Sequence, residues 1–300
     1  MIAFGLSRDV AFVQFGIDFG RGHRVPFTQG DVLPSFIVNA TGLWRKNYSR
    51  ITRTDEQDCT ARAIPKLFWR VMIRFLRQFD PHRIRLLVFD LDGTLIDSRL
   101  DLVHSVNAML RHLGRPELAG DVIASYVGDG APALVRRALG DTDDEALLRT
   151  GLEYFLGYYR LHKLDHTTVY KGIPEVLSGL AQPSNGVHRL MAVLSNKPVN
   201  PSRDIVQALG LGDFFVRIYG GNSFVTKKPD PLGARTILQE AGVAADEALI
   251  IGDSSIDVLT GRNAGMWTCG VTYGFAPHSL EDVPPDVLID SPRELGELLK

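Results

Sequence analysis

The sequence predicts an α/β protein in which a parallel sheet is covered by helices and interrupted once by an inserted helical module. Two observations carry this expectation. From about residue 84 to the C-terminus, short β-rich runs alternate with helical patterns, the rhythm of successive β–α–β units. Nearly a hundred residues separate the first run from the second, with several helical patterns and no convincing strand among them, far more chain than one crossover helix requires.

The strand candidates are IRLLVF (84–89), RLMAVL (189–194), FFVRIY (214–219), EALIIG (247–252) and WTCGVTYG (267–274), with VLI (287–289) weaker. Between the later ones, PSRDIVQALGL (201–211) and DPLGARTILQEAG (230–242) each have an apolar face and a glycine near the end, where a left-handed residue closes a helix. In the long interval LDLVHSVNAMLRHLG, GAPALVRRALG and DEALLRTGLEYFLGYYRLHK read as helices. Residues 98–170 are therefore the helical module, and 72–97 with 171–300 the α/β core. Residues 1–71 fit neither: short Phe-rich pieces, scattered arginines and the loop-like RGHRVPFTQGDVLP show no sustained period. They read as a poorly ordered basic extension, with Met72 as an alternative start; a docking or targeting arm is the sharper alternative.

Bulk properties narrow the function. The chain has 300 residues, a net charge of −2 and a pI near 6.4, so no overall basic field points to nucleic acid or an anionic membrane. The charge is uneven: residues 1–83 hold 13 Lys+Arg against 7 Asp+Glu (+6), leaving 20 against 28 (−8) for the remainder. Cys59 and Cys269 belong to no CxxC or Cys/His arrangement, which argues against a disulfide framework or a zinc site. Without a run of about 18 apolar residues or a secretory leader, the expectation is a cytoplasmic protein whose partner is a small molecule.

The chemistry concentrates at strand ends, where open α/β sheets place their ligands. VFDLDGTLIDS (88–98) puts Asp90 and Asp92 at the end of the first strand, two apart and thus on one side of it. Two carboxylates that close repel unless a cation intervenes, and hard oxygen ligands suit Mg²⁺. Gly93 lets backbone N–H groups approach an anion, although Asp and Gly also suit an ordinary turn. The second strand runs into Ser195-Asn196-Lys197, a hydroxyl and backbone donors at a strand end, which taken alone reads first as a turn or helix cap. The loop after the third carries Lys227 and Lys228, which also read as solvated charge. The fourth ends in GDSSID, whose Asp253 and Asp257 also suit a helix start. Four consecutive strand ends bearing acids, a hydroxyl, an ammonium and acids again are harder to explain structurally.

In these four motifs, DLDGTLIDS (90–98), SNK (195–197), Lys228-Pro229 and GDSSID (252–257), the sequence resembles the haloacid dehalogenase superfamily of phosphotransferases over about residues 84–290. The resemblance implies a Rossmann-like parallel sheet of order 3-2-1-4-5 with an inserted all-helical cap over the crevice. It also implies roles. Asp90 would be the nucleophile that forms an aspartyl-phosphate, and Asp92 the general acid and then base. Mg²⁺ would be held by Asp90, the backbone carbonyl of Asp92 and Asp253, with Asp257 behind them. Gly93, Thr94, Ser195, Asn196 and Lys228 would bind the phosphoryl group. Asp97 matches the motif but reads as a hinge without a chemical role.

The acid at position 92 favours phosphoryl chemistry over dehalogenation, since halide leaves without a proton. A sugar phosphomutase shares every motif, and a catalytically idle regulatory homologue keeps the fold; both stay open. The Gly-Asp-Gly loop in SYVGDGAPALVRRALG (125–140) leads into a helix whose N-terminus faces either an anion or merely a turn. This stretch resembles bacterial phosphoglycolate phosphatases, which implies a small phosphorylated metabolite, 2-phosphoglycolate, as substrate. Arg136 and Arg137 read as surface residues before substrate ligands, and His104 and His112 as ordinary helix residues.

Overall fold

The computed structural model describes residues 73–183 and 188–300, together with the backbone of residues 37–38 and 44–45. The chain divides into two compact units, residues 1–68 and 69–300. In the first, β1 (Ile37–Val38) and β2 (Trp44–Arg45) pair antiparallel. The expectations for the remainder of residues 1–71, for Met72 as a start and for Cys59 lie outside the described residues.

The second unit runs β3 (Arg74–Phe75), β4 (Leu86–Phe89), β5 (Ile96–Asp97), β6 (Thr168–Val169), β7 (Leu190–Leu194), β8 (Arg217–Tyr219), β9 (Ala248–Gly252), β10 (Trp267–Val271) and β11 (Val287–Ile289). Seven of these form one sheet in the order β8-β7-β4-β9-β10-β11-β3. All neighbours are parallel except β3, which adds antiparallel to β11 at the edge. Counted from β4, the first five strands stand in the order 3-2-1-4-5. The edge strand β3 had no sequence signature, because two residues establish no period.

The central strands are buried along their whole length, LLVF in β4 and ALIIG in β9, as befits parallel strands covered on both faces. Alternation sorts their side chains. Leu87, Phe89, Met191, Val193, Leu249 and Ile251 enter one apolar cluster, while Leu86, Val88, Ala192, Leu194, Ala248 and Ile250 enter the other. Burial of β4 and β9 against neighbours on both faces makes their C-terminal ends rigid supports for whatever follows them.

Between β5 and β6 lie α1 (Arg99–His112), α2 (Gly120–Ser125), α3 (Ala131–Ala138) and α4 (Glu145–His162). The last is started by Asp144, whose carboxylate accepts from the N–H groups of Ala146 and Leu147 at 3.0 Å. It approaches its neighbours closely at Gly151, where a Cβ would already stand 3.2 Å from Leu139 and 3.3 Å from the Met109 sulfur. The remaining helices, α5 (Ile173–Ala181), α6 (Val199–Ala208), α7 (Leu232–Ala241), α8 (Ser255–Ala264), α9 (Ser279–Asp282) and α10 (Pro292–Leu298), belong to the β–α rhythm. Among the described residues no helix is long and apolar enough to cross a membrane.

The helical segment leaves and returns through a narrow neck. There β5 and β6 pair antiparallel, Ile96 opposite Val169 and Asp97 opposite Thr168. Just inside it the buried Asp101 carboxylate accepts from the backbone N–H of His166 (3.0 Å), the backbone N–H of Thr167 (2.8 Å) and the Thr167 hydroxyl (2.7 Å). These donors hold the Asp101 carboxyl below its ordinary pKa against the opposing effect of burial.

Candidate active site

The loops after β4, β7 and β9 emerge side by side because those strands are neighbours. The Asp90 N–H donates to the Ile251 carbonyl at 2.9 Å, extending the β4–β9 ladder to the first acid. Two residues on, Gly93 turns the chain with φ +84°, and a Cβ there would lie 2.3 Å from Asp253 Oδ2. Only glycine lets this turn approach the acid of the neighbouring strand. Gly93 and Thr94, expected to meet the phosphoryl group, both stand in this turn. The Gly93 N–H donates to Ile96 O at 2.9 Å and the Thr94 N–H to Leu91 O at 3.3 Å, and neither residue lines the adjoining cavity. The turn uses these two amides internally.

At the end of β9, α8 opens with a capping box. Ser254 is its N-cap and Asp257 its third residue, and Asp257 Oδ2 accepts from the Ser254 hydroxyl at 2.7 Å and the Ser254 N–H at 3.2 Å. The structural reading of these acids as helix-start residues thus holds for Asp257, with Ser254 rather than Asp253 as the N-cap. The other Asp257 oxygen accepts from Lys228 Nζ at 2.6 Å, and the same ammonium lies 2.8 Å from Asp90 Oδ1. Burial disfavours the charged ammonium, but the two carboxylates outweigh it and raise the Lys228 pKa above that of an ordinary lysine.

Asp253 completes the cluster, its Oδ2 accepting from the N–H groups of Phe275 (2.5 Å) and Ala276 (3.2 Å). Burial, with Asp257 and Asp90 nearby, pushes Asp253 up to about 8. Burial likewise pushes Asp90 up to about 6, with Lys228 opposing and Asp257 adding to the shift. Asp90, Asp253 and Asp257 each present an oxygen within 4.8 Å of the others, and one lysine balances three acids. Excess negative charge on hard oxygens fits a divalent cation such as Mg²⁺. The Asp92 side chain stands apart from this group. Its Oδ1 accepts from the Ser98 hydroxyl at 2.5 Å, and both its oxygens accept from Lys197 Nζ at 3.0 and 2.9 Å.

That pairing went unread in the sequence, where Lys197 was only the third letter of a motif. Lys197 also lies 4.6 Å from the centre of the Tyr159 ring on α4. Ser195, buried at the end of β7, lines the cavity, and its hydroxyl oxygen accepts from the Lys197 N–H at 3.3 Å. Asn196, expected beside Ser195 at the phosphoryl group, also lines the cavity. Its side-chain amide donates to the carbonyls of Gly128 and Lys228, both at 3.0 Å, and so ties two loops together.

A small cavity of about 60 Å³ lies between the strand ends and the helical segment. Asp90, Asp92, Ser195, Lys197 and Asp253 line it from below, and Gly130, Ala131, Leu134, Phe155 and Tyr159 from above. The Gly-Asp-Gly loop closes one side. A Cβ on Gly130 (φ +87°) would lie 2.8 Å from the Asn196 carbonyl, and Lys227 donates to the Asp129 carbonyl. Arg136 donates to Thr142 O and Glu145, and Arg137 to Tyr126 O and Asp129. Both therefore serve the helical segment and neither lines the cavity. His112 stacks on Tyr154 and His104 meets His166 edge-on.

A family model described as haloacid dehalogenase-like hydrolase matches residues 87–271. The chain belongs to this family. Among curated relatives, a phosphoglycolate phosphatase of Pseudomonas syringae pv. tomato is 39% identical over 217 residues, covering 70% of this chain and 78% of its own. One from Chromobacterium violaceum is 38% identical over 221 residues, covering 72% and 97%. A solved structure described as a predicted phosphoglycolate phosphatase from Haemophilus somnus superposes with a TM-score of 0.67 at 26% identity, over 73% of this chain and 99% of that one. This haloacid dehalogenase-like hydrolase is thus a phosphomonoester hydrolase, with the sheet order and helical insertion the motifs implied.

Proposed function

We propose that this enzyme hydrolyses 2-phosphoglycolate in a Mg²⁺-dependent reaction through an aspartyl-phosphate on Asp90, beneath a cap formed by residues 98–170. The observation that carries the reading is the gathering of Asp90, Asp253, Asp257 and Lys228 at adjoining strand ends, with Asp92 held separately by Lys197 and Ser98. Two carboxylates two residues apart thereby face different partners, as a nucleophile and a proton carrier must. The relatives named phosphoglycolate phosphatase and the small cavity support the substrate.

An Asp90 oxygen attacks phosphorus, the ester P–O bond breaks, and Asp92 gives its proton to the departing alkoxide. Water then attacks the acyl phosphate as Asp92 takes up its proton, which frees inorganic phosphate and restores Asp90. Lys228 balances the negative charge beside the nucleophile, and the Ser195 hydroxyl donates to a phosphoryl oxygen. Asp90, Asp253 and the Asp92 carbonyl would hold Mg²⁺, with Asp257 behind them. When bound, the ion supplies the positive charge that lets a carboxylate meet a phosphate dianion.

The test is phosphate release from a panel of small phosphomonoesters, with Mg²⁺ and with chelator. Stoichiometric phosphate from 2-phosphoglycolate, lost with chelator, is the expected result. Strong activity on another ester with none on 2-phosphoglycolate removes the substrate assignment, and transfer between hexose positions without phosphate release favours a mutase.

A further inference from the structure

Lys197 is the one cation among the residues lining the cavity. Its side chain is 5% exposed, and Asp92 is the one carboxylate its ammonium meets among the described residues, although an ammonium carries three N–H donors. The other buried lysine among the described residues, Lys228, is shared between Asp90 and Asp257 and does not line the cavity. Opposite Lys197 stands Tyr159, whose buried hydroxyl can accept from that ammonium but finds no acceptor for its own proton among the described residues. Burial pushes this phenol up to about 12, so it keeps its proton and remains a donor. A buried hydroxyl at a cavity wall whose proton has no acceptor is a group awaiting one. Around it the upper wall is apolar, formed by Leu102, Leu134 and Phe155, and Arg136 and Arg137 bond elsewhere.

We infer that Lys197 and Tyr159 form a subsite for a carboxylate on the substrate, recognising the end of the molecule that is not phosphorylated. The inference deepens the proposed phosphatase reading and rests on it. The phosphoryl group is met at Asp90, and Lys197 pairs with Asp92 two residues away, so an anionic group a few bonds from phosphorus comes within its reach. An ester of the same length without the carboxylate meets the same phosphoryl machinery but leaves the Tyr159 hydroxyl unsatisfied. Such a subsite discriminates between esters by charge, without any cap arginine.

The experiment compares kcat/KM of the full chain, in Mg²⁺, for 2-phosphoglycolate and for ethyl phosphate, in which a methyl replaces the carboxylate. The wild type should favour the carboxylated ester. Lys197→Met should reduce that preference by roughly ten- to hundredfold, the worth of a charge-assisted contact. Lys197→Arg should restore part of it, and Tyr159→Phe should reduce it by roughly three- to tenfold. A preference unchanged within about twofold in Lys197→Met, with both esters slowed alike, means that Lys197 serves only as the counter-ion of Asp92, and overturns the inference. If Lys197→Met does not fold, Tyr159→Phe, which removes a single oxygen, decides, and an unchanged preference there overturns it equally. A wild type without preference for 2-phosphoglycolate removes the substrate reading and this inference together. A wild-type preference that survives both substitutions removes the inference alone.

Discussion

Raising the pH of the metal-free protein from about 5 to about 8 is expected to destabilise it, the reverse of what ordinary surface carboxylates do. The unfolded chain releases the protons of Asp90 and Asp253 near the ordinary value of 3.8, whereas the folded protein holds them to about 6 and about 8. Between those values the folded state binds more protons than the unfolded one, so stability falls with rising pH. One proton is worth about 1.4 kcal/mol per pH step. Both groups contribute up to about 6 and Asp253 alone up to about 8, a loss of roughly 5 kcal/mol across the window. For a unit of this size that lowers the melting temperature by on the order of 10 °C. Asp101, whose pKa is lowered, does not disturb the comparison, because its contribution is complete above the ordinary carboxylate value and is lost only on acidification below it. Thermal melts in EDTA at stepped pH measure the effect. Excess Mg²⁺ should flatten the slope, and Asp253→Asn should abolish its upper half. A melting temperature that rises with pH in EDTA, or an identical slope with Mg²⁺ present, would refute the charge imbalance on which the metal assignment rests.

Asp90→Asn should reduce p-nitrophenyl phosphate turnover by at least roughly a thousandfold while leaving circular dichroism unchanged, since it relieves rather than creates buried charge. Asp101→Ala strands the donors at the neck, His166 N–H and Thr167 N–H and hydroxyl, and should cost about 2–4 kcal/mol in denaturant unfolding. Gly130→Val forces a side chain into a left-handed backbone against the Asn196 carbonyl; kcat/KM should fall at least about tenfold, with stability lower by about 1–3 kcal/mol. The double substitution Arg136→Ala, Arg137→Ala should leave kcat/KM within about twofold in a steady-state assay, because both guanidinium groups bond within the helical segment.

What the sequence made legible was whatever repeats or recurs at a fixed place. Strands such as RLMAVL and EALIIG announced themselves by composition, Asp90, Ser195 and Asp253 by standing just past them, and Lys228 by its place before proline in the loop after the third strand. Less legible were groups defined by a partner distant in the chain. Lys197 faces Asp92 across 105 positions, Tyr159 reaches the same place from the middle of an ordinary amphipathic helix, and Asp101 is satisfied by residues 65 and 66 positions on. The neck strands and β3 span two residues each, too short to show a period. Gly93, Thr94 and Asn196 stand at the strand ends as the motifs place them, but the bonds of the Gly93 and Thr94 N–H groups inside the turn and of the Asn196 side-chain amide to two loops were not legible, because hydrogen-bond partners within a turn depend on its conformation rather than its letters.

The neck at Asp97 and Thr168 has an evolutionary consequence. Two positions 71 residues apart in the chain stand opposite each other across a single antiparallel pair, so the ends of everything threaded between them meet. Segments whose ends meet are those that chains gain, lose and exchange most readily. Substitution of a different helical segment at this doorway would leave β4, β9 and their acids in place while replacing Phe155, Tyr159 and the Gly-Asp-Gly loop together. Under the proposed mechanism, selection can thus rewrite which ester is admitted without touching the groups that break it.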